Sequence, residues 1–124
     1  MKIKLPADCG NSPRITIVGD FITSWAQGDM AAVAQWLTED ATWSLVGERT
    51  YIGQDALDHV RPSTSPESVE VITIITHGRL ASCDGFLETG SARMYFSHVF
   101  RFASTSKAAK IKDARSYYIE QLTQ

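Results

Sequence analysis

The segment from Ala92 to Phe102 constrains the fold of this chain more strongly than any other. Every second residue along it is large, and four of these five are apolar: Met94, Phe96, His98, Phe100 and Phe102. Successive side chains of a β-strand point to opposite faces, so this alternation predicts a strand with one face in the core. His98 is then a polar residue among four large apolar neighbours, which makes it the first candidate for a functional side chain.

The amino-terminal part of the chain predicts helices. Ser12 followed by Pro13 is a typical helix start, because the hydroxyl can cap and proline suits the first helical position. Apolar residues at helical spacing then extend this helix to about Gln27. Gly28 ends it, and Asp29 caps a second, short apolar helix.

After the second helix the pattern becomes mostly extended, following a break at residues 38–40. The predicted elements are a strand at 41–46, its partner at 49–52, a third short helix at 53–60, and strands at 69–76, 80–87, 92–102 and 111–121. Helices first and an antiparallel meander afterwards are typical of an α+β fold in which the helices cover one face of the sheet.

The chain is predicted to be one domain with a flexible start. Residues 1–11 contain several helix and strand breakers and are expected to form a loose arm. Residues 12–124 have the commonest length for a single domain. The run at 61–68, rich in Ser and Pro, is the longest loop and is expected to act as a mobile flap.

The turn before the central strand predicts its register. The segment at 88–90 suits a three-residue hairpin loop closed by glycine. That loop places Leu80 opposite His98 and puts Ser82 and Asp84 on the same inward face. Ser82 is then a diagonal neighbour of His98 at roughly 7–8 Å between backbones. Asp84 lies about 13 Å away along the strand, out of direct reach.

The charge and hydropathy patterns argue against nucleic acid and membrane partners. The formal net charge is −2, and the densest group of basic residues, between positions 107 and 115, suits a solvated hairpin tip. No stretch approaches the ~20 apolar residues that span a bilayer, and no apolar run follows the basic start as it would in a signal peptide. A cytoplasmic location is the simplest expectation.

The cysteine and histidine spacings predict neither a metal nor a cofactor. Cys9 and Cys83 lie far apart and fit no metal or redox motif, which favours a reduced compartment. A metal site built from His77, Asp84 and His98 would match no known ligand spacing. The sequence therefore predicts no cofactor.

Four further segments are informative: Phe21–Asp29, Trp36–Trp43, His98–Phe102 and Ile111–Tyr118. Together they resemble the nuclear transport factor 2-like superfamily, which includes SnoaL-like polyketide cyclases and ketosteroid isomerases. The resemblance covers about residues 12–121. It implies a cone-shaped fold, with amino-terminal helices against a strongly curved mixed or antiparallel sheet. It also implies a homodimer and a pocket at the wide end of the cone, with His98 pointing inward.

The catalytic residues of ketosteroid isomerases carry over poorly. Phe21 stands where the resemblance implies a carbonyl-polarising tyrosine, and Ser44 or Leu45 stands where it implies the general-base aspartate. His98 occupies the position of a second oxyanion donor, an aspartic acid. One polar residue of three is kept, with a different chemistry, which argues against ketosteroid isomerisation by that mechanism.

Two functions are compatible with this pattern. The first is a SnoaL-like pocket protein that binds a small, largely apolar or amphipathic metabolite, with His98 as a catalytic acid or base in chemistry of the isomerase, cyclase or hydratase type. The second is a non-catalytic dimeric module that binds a ligand or a protein. The expected ligand-binding residues are Phe21, Trp25, Trp43, Ser82, Asp84, Phe96, Ser116 and Tyr118.

The outward parity of the last two strands supports a homodimer. Apolar and charged side chains are mixed on this face: Tyr95, Val99, Tyr117 and Ile119 beside Arg93 and Arg115. Such a mixed surface is typical of protein–protein contacts.

Overall fold

The computed structural model describes residues 1–7 and 12–121, and within these residues three helices pack on one curved mixed sheet of seven strands. The elements are β1 (Lys2–Lys4), α1 (Pro13–Gln27), α2 (Met30–Gln35), β2 (Leu37–Leu45), β3 (Arg49–Ile52), α3 (Gln54–His59), β4 (Ser68–His77), β5 (Leu80–Thr89), β6 (Ala92–Phe102) and β7 (Ile111–Gln121). The order across the sheet is β1-β4-β5-β6-β7-β2-β3. The pairs β1–β4 and β2–β7 are parallel, and the other neighbours are antiparallel. The predicted α+β fold class is confirmed.

The first two helices begin and end where the sequence predicts. Gly28 ends α1 with φ 74°, a left-handed conformation that glycine adopts without strain. The Asp29 side chain accepts a hydrogen bond of 3.2 Å from the Ala32 amide and caps α2. The Ser12 hydroxyl makes no capping bond, contrary to the prediction. Its carbonyl instead accepts from the Ile15 amide at 3.1 Å.

The start of the chain is more ordered than the predicted loose arm. Residues 2–4 form β1, because the edge of β4 offers unpaired backbone groups at Ser68 and Glu70. The Lys2 amide also donates to the Glu67 carbonyl at 2.9 Å. The expectation of a loose arm is therefore wrong for residues 2–4. Residues 8–11, which include Cys9, lie outside the described part of the chain.

The predicted break at residues 38–40 is also corrected. The strand β2 runs without interruption from Leu37 to Leu45, with an irregular register between Leu37 and Thr42. Glu39 and Asp40 are exposed on this strand. Their polarity therefore marks a solvent-facing stretch of an extended segment rather than its end.

The hairpin between β5 and β6 has a different register from the predicted one. Thr89 pairs with Ala92 around a two-residue turn, with Gly90 at φ 59°. Cys83, rather than Leu80, consequently lies opposite His98. The observed pairing is therefore shifted by three residues along β5. Because the shift is odd, the β5 side chains that were predicted to face inward face outward.

We call the helix-covered face of the sheet the inner face and the opposite one the outer face. The inner face carries the core, in which Trp25, Trp43, Phe21 and Phe100 are at most 1% exposed. Of the five β6 residues that were predicted to face inward, four are buried, and Met94, near the start of the strand, is half-buried. The alternation in Ala92–Phe102 is therefore confirmed. In the part of the chain that the structure describes, no helix is long and apolar enough to cross a membrane.

Candidate functional site

His98 lies in the middle of the inner face inside a shell of aromatic rings. Its own ring is 0% exposed. The ring centroids of Trp25 and Phe96 are 4.7 and 5.0 Å away, and those of Phe100 and Tyr118 are 5.8 and 6.1 Å away. Strands β6 and β7 and helix α1 bring these side chains together, because each element turns its apolar stripe to the same core.

A short hydrogen-bond chain holds the imidazole in place. The Trp43 Nε1 donates to Ser116 Oγ at 2.8 Å, and Ser116 Oγ lies 2.6 Å from His98 Nδ1. The serine hydroxyl has a single proton, which it can donate to Nδ1 while it accepts from the indole. In the tautomer in which the serine donates to Nδ1, the remaining imidazole proton lies on Nε2. Within residues 1–7 and 12–121, that buried Nε2 has no hydrogen-bond partner.

Burial governs the protonation of the core. It lowers the pKa of His98 from 6.5 to about 3, because burial removes the solvation of the charged ring, so the imidazole is neutral at pH 7. Burial also raises the pKa of the Cys83 thiol, which lies opposite His98 on β5 and stays protonated. Neither group carries charge in the folded protein at neutral pH.

Tyr118 carries another buried polar atom close to His98. Its ring stacks on Trp25 with centroids 6.1 Å apart and planes at 2°. The Trp25 Nε1 is held by the Val60 carbonyl at 2.7 Å. The Tyr118 hydroxyl makes no hydrogen bond of normal geometry in the described chain. Burial raises its pKa to about 12, and the nearby Ser116 hydroxyl lowers that pKa by a smaller amount. The phenol is therefore a hydrogen-bond donor at neutral pH.

A cleft of about 420 Å³ opens above these rings, where α1, α3, β2 and β7 end and β6 begins. We call it the mouth cleft. The side chains that characterise it are Trp25, Glu48, His59, Arg61, Met94 and Tyr118. His98 does not line it, since the stacked pair Trp25 and Tyr118 lies between them. The space that the sequence predicted around His98 is thus filled by aromatic side chains, and the open volume lies above them.

His59 is a site residue that sequence reasoning missed. Its Nδ1 donates to the Asp55 carbonyl at 2.8 Å, and its ring stacks on Tyr51 with centroids 4.4 Å apart. These contacts orient an exposed imidazole at the rim of the mouth cleft. Glu48 and Arg61 reach the same rim from loops. Loop positions carry no periodicity, so only the packing of α3 and these loops brings the three residues together.

The structure gathers most, but not all, of the predicted site residues. Those near His98 are Trp25, Trp43, Phe96, Ser116 and Tyr118, while Phe21 lies one layer further, stacked on Trp43 at 5.7 Å. Ser82 and Asp84 lie on the outer face, opposite Val99 and Ser97. Their predicted place on the inner face is wrong, because the hairpin register that put them there differs from the observed one.

The curved sheet, the three covering helices and the cleft at one end define an α+β cone. No protein-family model matches the sequence, and no curated protein does either. Solved structures do match. An NTF2-like protein of unknown function from Burkholderia xenovorans LB400 is 16% identical, with a TM-score of 0.73 over 90% of this chain and 86% of that one.

Two further structures carry activity names. A candidate ketosteroid isomerase from Kribbella flavida DSM 17836 is 13% identical, with a TM-score of 0.70 over 88% of this chain and 79% of that one. An LEH-like epoxide hydrolase from M. tuberculosis is 19% identical, with a TM-score of 0.65 over 86% of this chain and 83% of that one. At these identities the likeness shows the fold. The chain has the nuclear transport factor 2-like fold, as the sequence resemblance implied.

Proposed function

We propose that this protein binds a small amphipathic molecule in the mouth cleft. The observation that carries the proposal is the Tyr118 hydroxyl, a buried donor without a partner in the described chain, on a residue that lines the cleft. A buried hydroxyl that makes no hydrogen bond costs about 1–3 kcal/mol. A ligand acceptor that displaces the side chains covering this hydroxyl recovers that free energy.

The shape and chemistry of the mouth cleft suit a compact ligand. Its volume of about 420 Å³ lies within the range of known small-molecule sites. Trp25 and Tyr118 form an aromatic floor for an apolar ring. Met94 is half-buried at the rim, and an unbranched methionine can move aside for a ligand. A carbonyl or ether oxygen on that ligand would accept from the phenol.

The test compares two adjacent tyrosines of β7 whose side chains point to opposite faces of the sheet. A thermal-shift screen against steroids, polyketide fragments, terpenoids and aromatic acids is expected to yield ligands that stabilise the protein. Tyr118→Phe should weaken their binding about tenfold, because one hydrogen bond is lost. Tyr117→Phe is the matched control, since Tyr117 is 42% exposed on the outer face. Hits with equal affinity for both variants would place the ligand elsewhere and refute the proposal.

A second candidate function is acid–base chemistry with His98, of the isomerase or hydratase type. Its unpartnered Nε2 supports it, and so do the activity names of two proteins with the same fold. A neutral imidazole with a proton on Nε2 would donate a hydrogen bond to a developing oxyanion. Trp25 separates this atom from the mouth cleft, so the chemistry requires that ring to move. Turnover of a screened compound that survives in His98→Asn would exclude this role.

The alternative of a dimeric module concerns the outer face. Ile119 and Tyr117 on β7 are 70% and 42% exposed, and Ile119 pairs with Tyr95 on β6. We expect a homodimer through this face, because apolar side chains of this size are stabilised by burial against a second copy. Light scattering should give twice the mass of the chain, and Ile119→Glu should reduce it to the mass of a monomer. A wild-type monomer at micromolar concentration contradicts this expectation.

The buried Cys83 thiol supports the proposed cytoplasmic location.

A further inference from the structure

A second cleft lies at the opposite end of α1 from the mouth cleft. Its volume is about 410 Å³, and we call it the Arg14 cleft. The polar side chains that line it are Ser12, Arg14, Thr76, His77, Thr105 and Lys107. Along the helix, Arg14 is about 16 Å from Trp25, at 1.5 Å of rise per residue. The two clefts are therefore separate sites.

Arg14 is a buried cation without a carboxylate partner in the described chain. Its residue surface is 8% exposed, and its guanidinium carbon lies 3.8 Å from the centroid of the Phe102 ring. One nitrogen, Nη2, donates to the Ser106 carbonyl at 3.0 Å. The other, Nη1, is buried and makes no hydrogen bond to any described residue. A buried charge is costly unless it is paired, and an arginine cannot lose its proton to avoid that cost.

The surroundings of Arg14 provide donors and positive charge. The first turn of α1 has no acidic residue, so no side chain of that turn neutralises the positive end of the helix dipole. The Ser12 hydroxyl makes no capping bond. Lys107 adds a second cation at the surface of the cleft, and none of the described residues that line it is acidic. Arginine, lysine and a hydroxyl are groups that bind phosphate in proteins. The start of α1 adds the positive end of its dipole but few free donors, because Pro13 has no N–H and the Ile15 and Thr16 amides donate to the Ser12 carbonyl.

We propose that the Arg14 cleft binds the phosphate group of a small molecule. The guanidinium of Arg14 supplies the paired charge, and Lys107 and the Ser12 hydroxyl contact the remaining oxygens. The volume of the cleft exceeds that of a single water by an order of magnitude, so it accommodates a phosphate with a short organic group. Free phosphate and a phosphate monoester share this chemistry.

The test titrates the full chain with inorganic phosphate at constant ionic strength in a chloride buffer. Amide signals of Ile15, Thr16 and Lys107 are expected to shift saturably in ¹⁵N–¹H spectra, whereas that of Tyr118 is not. A parallel titration with glycerol 3-phosphate separates the two sources. Tighter binding than that of inorganic phosphate supports a monoester, and equal or weaker binding supports the free ion.

Variants decide whether the cleft is responsible. Arg14→Gln should weaken phosphate binding about tenfold, because a charge-assisted bond is lost. Lys107→Ala should weaken it severalfold, and Lys112→Ala is its matched control, since Lys112 is an exposed lysine that does not line the cleft. If Arg14→Gln does not fold, Lys107→Ala and Ser12→Ala carry the comparison.

Three outcomes would overturn the proposal. The first is the absence of a saturable shift in the wild-type protein. The second is equal affinity of Lys107→Ala and Lys112→Ala for inorganic phosphate, which would mean that net charge alone attracts the ion. The third is binding of acetate as tight as that of phosphate, which would assign the cleft to carboxylates.

Discussion

Gly85→Ala is expected to destabilise the protein by about 3 kcal/mol. Gly85 lies on the inner face of β5, where an added Cβ would overlap the Glu70 carbonyl and approach Phe96 Cζ to 3.0 Å. The Glu70 carbonyl belongs to the backbone of β4, just before the register shift between Val71 and Thr73. Backbone in a paired strand cannot move aside cheaply, so the methyl group would displace β4 or the Phe96 ring against Trp25.

Gly19→Ala is the matched control for this prediction, and its expected sign is opposite. Gly19 is buried in α1, but an added Cβ there would meet Leu5 Cδ1 at 3.6 Å, an ordinary contact. Alanine is favoured over glycine inside a helix by about 0.5–1 kcal/mol. Urea unfolding of both variants measures the two changes. A Gly85→Ala variant as stable as the wild-type protein would show that the described packing of β4 on β5 is wrong.

The second large effect is a loss of stability in acid that comes from His98. Its pKa is lowered to about 3 in the folded protein from an ordinary value of 6.5. Between these two pH values the unfolded chain binds a proton that the folded chain does not bind. The free energy of unfolding therefore has its full value above pH 6.5. As the pH is lowered below 6.5, this histidine reduces it by roughly 1 kcal/mol per pH unit.

Urea unfolding at intervals from pH 7 to pH 4.5 measures this dependence. His98→Gln should lower the stability at pH 7 but flatten the slope below pH 6.5, because glutamine does not titrate. His59→Gln is the control, since His59 is exposed at the rim of the mouth cleft. Equal slopes for the wild-type protein and His98→Gln would contradict the burial and neutrality of this imidazole.

The fold was largely predictable because it depends on local patterns. The alternation in β6, the helical spacing in α1 and the cap at Asp29 each concern residues close in sequence. The inward direction of His98 follows from strand parity alone. The family resemblance implied that Ser116 and Tyr118 lie together on β7, and the structure pairs them with His98 and Phe96.

The candidate site was only partly predictable, because it depends on one turn and on long-range packing. A hairpin loop of two residues instead of three moved Ser82 and Asp84 to the outer face. No local pattern indicated that Trp25 would stack on Tyr118 and close the cone above His98. Rim residues such as His59 lie on short elements and loops, and no periodic pattern in the sequence predicts how these segments pack against one another.

The sequence by itself determined the α+β class, the inner face of β6 and the burial of His98, because alternation and helical spacing specify which side chains avoid water. The tertiary structure alone decided where open space remains. The aromatic rings of the inner face fill the cone by close packing, which leaves the mouth cleft at one end of α1 and the Arg14 cleft at the other. Volume left after packing depends on every neighbouring side chain at once, and no single segment carries that information.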